Sequence, residues 1–161
     1  MAGSLIDLTE NFTLAEAVVT NNRAGIINTI DGESTMGNIL KTAVKLEKVR
    51  AVLDNKPLLI SSWYRCPALN TQVGGAKNSD HLLGAAVDFI APKFGTPLEI
   101  CTRIIECKEL IGFKQLILEH TWVHISWSTI PSTLPKLEVL SLLTGGGYAR
   151  GLTDKWGNKL G

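Results

Sequence analysis

Histidine and cysteine are scarce in this chain of 161 residues, with three of each. Three cysteines, odd in number and without close pairing, argue against a disulfide framework and suit a reducing compartment. Cys101 and Cys107 lie six apart on an expected helix, so they share no face and read as small core residues rather than metal ligands. No apolar run approaches the roughly 20 residues of a membrane span. The opening MAGSLIDLTENF lacks the basic start and apolar stretch of a secretion signal. Neither sign of charge is in excess: the net charge of +1 leaves no electrostatic case for nucleic acid or an anionic membrane as partner. Internal repeats, low-complexity linkers and a second domain are also missing. The glycine run at 145–147 lacks the Lys-Ser/Thr that follows in a phosphate loop.

What remains is a globular composition, 45% hydrophobic and 19% charged, in one domain spanning 1–161. Thr13 with Glu16 three residues on predicts a capped helix start in FTLAEAVV. The stretch 21–35 is rich in turn formers and reads as loop. From Gly37 to Asn55, apolar residues at 39, 40, 43, 46, 49 and 53 predict the main packing helix. Strands are expected at 57–64, 85–91, 113–119 and 122–128, and a helix at 96–107 with Pro97 in its first turn. Residues 65–80 read as loop, 136–143 as strand or short helix, and 144–161 as an irregular, exposed tail.

One stretch stands out, NSDHLLGAAVDF at 78–89. Asp88 sits among Ala, Val, Phe and Ile, where an unpaired carboxylate costs several kcal/mol; a cation or a metal is therefore expected beside it. A second stretch, QLILEHTWVHIS, reads as a hairpin if His120-Thr121 form a two-residue loop. Glu119 then pairs across from Trp122, Leu118 from Val123 and Ile117 from His124. One face carries Leu116, Leu118, Val123 and Ile125; the other carries Gln115, Ile117, Glu119, Trp122, His124 and Ser126. Together His81, Asp88 and His124 supply two imidazoles and a carboxylate, the ligand set of a catalytic zinc site with a fourth position left for water. Glu119 is placed to take a proton from that water and pass it to a leaving amine.

These blocks carry a resemblance. SDHLLGAAVD is similar to the Ser-x-His-x-x-Gly-x-Ala-x-Asp signature of the M15 zinc peptidases, matching at Ser79, His81, Gly84, Ala86 and Asp88. LILEHTWVHIS resembles the second signature of the M15A-like branch. SSWYRCPALN resembles the family's Gly-Tyr-Arg-Ser-Pro-x-x-Asn block at Tyr64, Arg65, Pro67 and Asn70, and LTENFTLAEAV resembles the start of phage-encoded members. The resemblance implies an α+β fold of the Hedgehog and D-Ala-D-Ala peptidase group: a small antiparallel sheet carrying the metal, with helices packed on its other side. It implies zinc on His81, Asp88 and His124, and Glu119 as general base. Arg65 is implied to meet a substrate carboxylate or carbonyl, with an ion pair to Asp80 or Asp88 as the alternative. Ser79 is a candidate for binding the peptide or for capping the turn at His81, and Trp122 for walling the groove or shielding the metal.

Two departures matter. Many relatives place the acid three residues before the last histidine, where this chain has Thr121; Glu119 lies five before. His120 matches no ligand position and reads as a surface residue. The implied activity is hydrolysis of amide bonds in peptidoglycan stem peptides or crosslinks, as carboxypeptidase or endopeptidase. The implied setting is a phage lysin in the host cytoplasm before lysis, or a virion component acting on the wall beside other particle proteins. Two alternatives stay open. One is a zinc-stabilised wall-binding or virion protein without catalysis, favoured if His120 or Cys66 supplies a fourth ligand. The other is a peptidase for free dipeptides, favoured by a shallow closed pocket.

Overall fold

In the computed structural model, described for residues 6–21 and 25–161, helices pack against one six-stranded sheet whose last four strands follow one another in sequence. Residues 1–5 of the opening segment, and 22–24 of the expected loop, lie outside the described residues. The first helix, α1 (Leu14–Ala17), begins at Thr13 with the expected capping box: Thr13 N–H donates to Glu16 Oε2 at 2.7 Å, and Glu16 N–H to Thr13 Oγ1 at 3.4 Å. The long helix α2 (Glu33–Val52) starts four residues before the first expected position and buries Ile39, Ala43, Leu46 and Val49. It is followed by β1 (Leu59–Ser62), α3 (Pro67–Gln72), a 3-10 turn (Asp80–Leu83) and β2 (Ala86–Ile90). Next come α4 (Pro97–Glu106), α5 (Lys108–Ile111), β3 (Gln115–Leu118), β4 (Val123–Ser126), β5 (Glu138–Leu142) and β6 (Tyr148–Arg150).

The expected loop 65–80 contains α3, whose first residue is Pro67, a position where the missing N–H costs nothing. Helix α4 opens on Thr96 and Glu99, a second capping box that adds to the Pro97 signal. The uncertain segment 136–143 is a strand. The tail is only partly irregular: β6 pairs with β5, and Thr153 bridges Lys159. The glycines at 145–147 lie in the connection of the β5–β6 hairpin.

The strand order is β1-β2-β4-β3-β5-β6. Four pairs are antiparallel, and β3–β5 is parallel, so the sheet is mixed where the resemblance implied an antiparallel one. The hairpin register matches expectation, with Leu118 opposite Val123 and Ile117 opposite His124. Glu119 N–H donates to Trp122 O at 3.1 Å, and His120 takes φ +64°, the left-handed conformation this tight turn requires.

Side chains alternate across the strands, and the core lies on one face only. Val87, Phe89, Leu116, Leu118, Val123 and Ile125 pack with Ile39, Ala43, Leu46 and Val49 of α2 and Ile100, Cys101 and Ile104 of α4. Trp63 and Trp127 are both buried and satisfied, donating their indole N–H to Gly84 O at 3.0 Å and Ile111 O at 3.1 Å. All three cysteines are free thiols, and Cys101 is a core residue as expected.

Candidate metal centre

The face opposite the core carries the chemistry. On β2, Asp88 points away from the helices because Val87 and Phe89 point toward them. The β2–β4 register sets Asp88 directly opposite His124, and His124 Nδ1 lies 2.8 Å from Asp88 Oδ1. His81 comes from the turn before β2. Ser79 Oγ accepts its backbone N–H at 3.2 Å, and Gly84 closes the turn at φ +71°.

A bond behind the His81 ring settles its orientation. Nδ1 lies 2.6 Å from the carbonyl oxygen of Trp63; a carbonyl only accepts, so Nδ1 carries the proton. The lone pair is then on Nε2, which is buried and has no hydrogen-bond partner among the described residues. It stands 3.3 Å from Asp88 Oδ2 without hydrogen-bond alignment. The donor atoms of His81, Asp88 and His124 all lie within 4.8 Å of one another.

An orphaned imidazole nitrogen and a carboxylate converging with a second imidazole fit a zinc ion. The carbonyl behind His81 is the kind of outer partner that fixes a ligand's tautomer. Among the described residues no fourth histidine, cysteine or carboxylate joins the cluster. Cys66 contacts Ile27 O at 3.8 Å instead, and His120 Nε2 lies 2.8 Å from Leu142 O. His120 is therefore half-buried and anchors the β3–β4 turn to β5, in place of the surface position expected for it.

Burial pushes the His81 imidazole below its ordinary pKa, against the pull of Asp88, and so favours the neutral form a metal needs. Burial also disfavours charge on Asp88, but His81 and His124 outweigh it and hold the carboxyl far below the usual range. Arg65 adds an ion pair to Asp88, Nη2 to Oδ2 at 3.1 Å, the alternative the sequence left open. Its Nε donates to Ser62 Oγ at 2.9 Å and its Nη1 to Asn70 Oδ1 at 3.4 Å. Gly75 makes room for this cradle, since a Cβ there would collide with the Asn70 side chain.

The triad lies in a cleft with two arms that share Arg65, Asp88 and Trp122. One arm, about 470 Å³, also contains His81, His124, Glu119 and Ser79; the other, about 440 Å³, runs past Ser61, Ser62, Leu69 and Val73. All seven expected site residues thus border one cleft. Burial raises the Glu119 carboxyl above the ordinary glutamate range; His124 opposes the shift and Asp88 adds to it. Ser79 both caps the turn and lines the cleft, and Trp122 is 37% exposed at the junction of the arms.

Sequence reasoning missed Tyr148. Ile117 pairs with Leu140, and Arg150 with Leu140, so β5 and β6 extend the metal-bearing face. Tyr148, opposite Leu142, lies on that face and borders the same arm. Burial, together with the charges of Glu119 and Asp88, pushes its phenol up, so it stays a donor. The alternation of KLEVLSLL was the one available signal.

Comparison with known proteins agrees with this geometry. A family model described as Peptidase M15 matches residues 10–126, which contain the triad, Glu119, Arg65, Ser79 and Trp122. The chain is also similar to the zinc D-Ala-D-Ala carboxypeptidase of Streptomyces albus G, 34% identical over 86 residues. That match covers 53% of this chain and 33% of the relative, so the chain spans about a third of that protein's length. With the family match extending over most of the fold and ending at the last residue of β4, the chain belongs to the peptidase M15 family.

Proposed function

We propose that the chain is a zinc-dependent peptidase cutting internal amide bonds of peptidoglycan peptides, with His81, Asp88 and His124 as metal ligands. The peptidoglycan substrate rests on the relative's D-Ala-D-Ala activity. The endopeptidase reading rests on one observation: every lysine and arginine bordering the cleft among the described residues is already paired. Arg65 holds Asp88, Lys114 holds Asp80 at 2.8 Å, and Lys136 holds Glu138 at 3.3 Å. A carboxypeptidase needs a cation for the terminal carboxylate; a cleft with an arm on each side of Asp88 accepts a chain running through it. The same two arms argue against a shallow pocket for free dipeptides, and the three-donor cluster argues against a closed structural zinc site.

Zinc at the triad supplies a Lewis acid for the scissile carbonyl and acidifies water. Glu119, whose carboxyl burial makes more basic, takes the proton from the attacking water and returns it to the leaving amine. Arg65, rigid on Ser62, Asn70 and Asp88, offers its remaining N–H groups to a substrate carbonyl. Ser79 and Tyr148 donate to the peptide, and Trp122 excludes water where the arms meet. A role as a phage lysin or virion enzyme is supported by the likeness of residues 8–18 to phage-encoded members.

Mass spectrometry of peptidoglycan digested by zinc-loaded protein tests this, with metal-stripped protein as control. The expected products carry new internal termini without free D-alanine. Release of D-alanine alone would replace the endopeptidase with a carboxypeptidase, and an unchanged digest would favour a wall-binding role without catalysis.

A further inference from the structure

A second cavity, about 270 Å³, lies between α2 and the segment 127–135 that links β4 to β5. It borders the metal cleft only through Lys114, which Asp80 already holds. Its lining includes Lys41 and Lys45, one helical turn apart, and the hydroxyls of Ser128, Thr129, Ser132 and Thr133, but no aspartate or glutamate. Among the described residues neither lysine has a salt-bridge partner, in contrast with the paired cations of the cleft. Lys45 is half-buried and extends over the buried Trp127 ring, 5.8 Å from its centroid. Burial, with Lys41 and Lys48 nearby, lowers its pKa. Lys41 is exposed and Lys45 half-buried, and like charges four residues apart on one helix face repel one another, a repulsion that a bound anion relieves.

From this geometry we propose that the cavity is a binding site for a phosphate or phosphodiester group, separate from the metal centre. Two ammonium groups act as point charges without the planar fork that an arginine offers a carboxylate, and this suits a tetrahedral oxyanion beside hydroxyl-bearing residues. The volume exceeds a lone phosphate and leaves room for an ester substituent. Such a group comes either as free phosphate or as part of a phosphodiester polymer of the bacterial wall. In the second case the site tethers the enzyme beside its substrate; only that consequence rests on the proposed peptidase function.

The test is a two-dimensional amide NMR titration of the zinc-loaded full chain with inorganic phosphate and, separately, with poly(glycerol phosphate). Saturable shifts at the Trp127 indole and residues 128–133 are expected, weakened at least tenfold in a Lys41→Gln/Lys45→Gln variant. Tighter binding of the polymer identifies a wall phosphodiester as the source; binding of phosphate alone identifies the free ion. Shifts centred on Trp122 and His124, shifts that never saturate, or shifts unchanged in the variant overturn the site. Because no turnover is read, failure here leaves the peptidase reading untouched, and an inactive protein that still binds phosphate separates the two.

Discussion

Replacing Glu119 by glutamine separates catalysis from architecture. The carboxylate makes no hydrogen bond and no salt bridge among the described residues; the surroundings act on it only through burial and the charges of His124, Asp88 and His120. The turn is held instead by its backbone, with Glu119 N–H to Trp122 O at 3.1 Å and Thr121 N–H to Glu119 O at 2.9 Å. Glutamine keeps the shape and removes only the base. Stability should therefore change by no more than about 0.5 kcal/mol, the range of substitutions that break no structural contact. Zinc should stay, because the three donors are untouched. A lost general base costs about 10²–10⁴ in rate, or about 3–5 kcal/mol of transition-state stabilisation. The assay is single-turnover cleavage of a crosslinked stem peptide by liquid chromatography and mass spectrometry, beside zinc content by plasma mass spectrometry and a urea melt. Full turnover with zinc retained would refute Glu119 as the base. Loss of zinc would show the residue acting on the metal site instead.

Chelating the zinc should abolish cleavage while leaving the circular dichroism spectrum and most of the urea stability in place; unfolding on chelation would mark the metal as structural. His81→Ala should also lose zinc and cleavage, with an added stability loss of about 1–3 kcal/mol because the Trp63 carbonyl loses its partner. Gly84→Ala should cost about 2–5 kcal/mol in a urea melt: φ is +71°, and a Cβ would stand 2.6 Å from Cγ1 of the fully buried Ile39. A loss under about 1 kcal/mol would mean that α2 yields at that point. Burial pushes the Cys101 thiol from 9.0 up to about 12, so between those values the unfolded chain binds fewer protons than the folded one. Stability should fall by about 1.4 kcal/mol per pH unit across that window through this group, and Cys101→Ala should flatten the slope relative to wild type. Tyr148→Phe should lower kcat/KM by about 2–10-fold, the worth of one hydrogen bond, at unchanged zinc content and melting temperature; unchanged kinetics would remove the hydroxyl from the site.

What was legible in the sequence is what repeats or caps. The 3.6-residue spacing of Ile39, Ala43, Leu46 and Val49 marks α2, and Thr13 with Glu16 marks α1. The hairpin register followed from period-two alternation about His120-Thr121, although His-Thr is a weak turn signal. Three features were not legible. Helix α3 is only six residues long and lies among turn formers, too short for periodicity to register. The parallel pairing of β3 with β5 depends on where an irregular connection lands, which local pattern does not encode. Tyr148 reaches the cleft through two successive strand pairings, beginning with that parallel one. The paired state of Lys114, on which the proposed endopeptidase reading leans, likewise needs coordinates: Asp80 and Lys114 are 34 residues apart.

The three candidate donors are positioned by residues outside their cluster. Asp88 and His124 face each other because Val87, Phe89, Val123 and Ile125 are fully buried on the opposite face. A slip of one residue in either strand would turn the carboxylate or the imidazole into the helices and expose the apolar set. The two core side chains of the slipped strand, at about 1.5–3 kcal/mol each, oppose that slip by roughly 3–6 kcal/mol, before chain entropy is counted. The electrostatic cost of holding Asp88 beside Arg65 and His124 is several kcal/mol at most, since both contact the carboxylate. The core therefore sets which face Asp88 and His124 take.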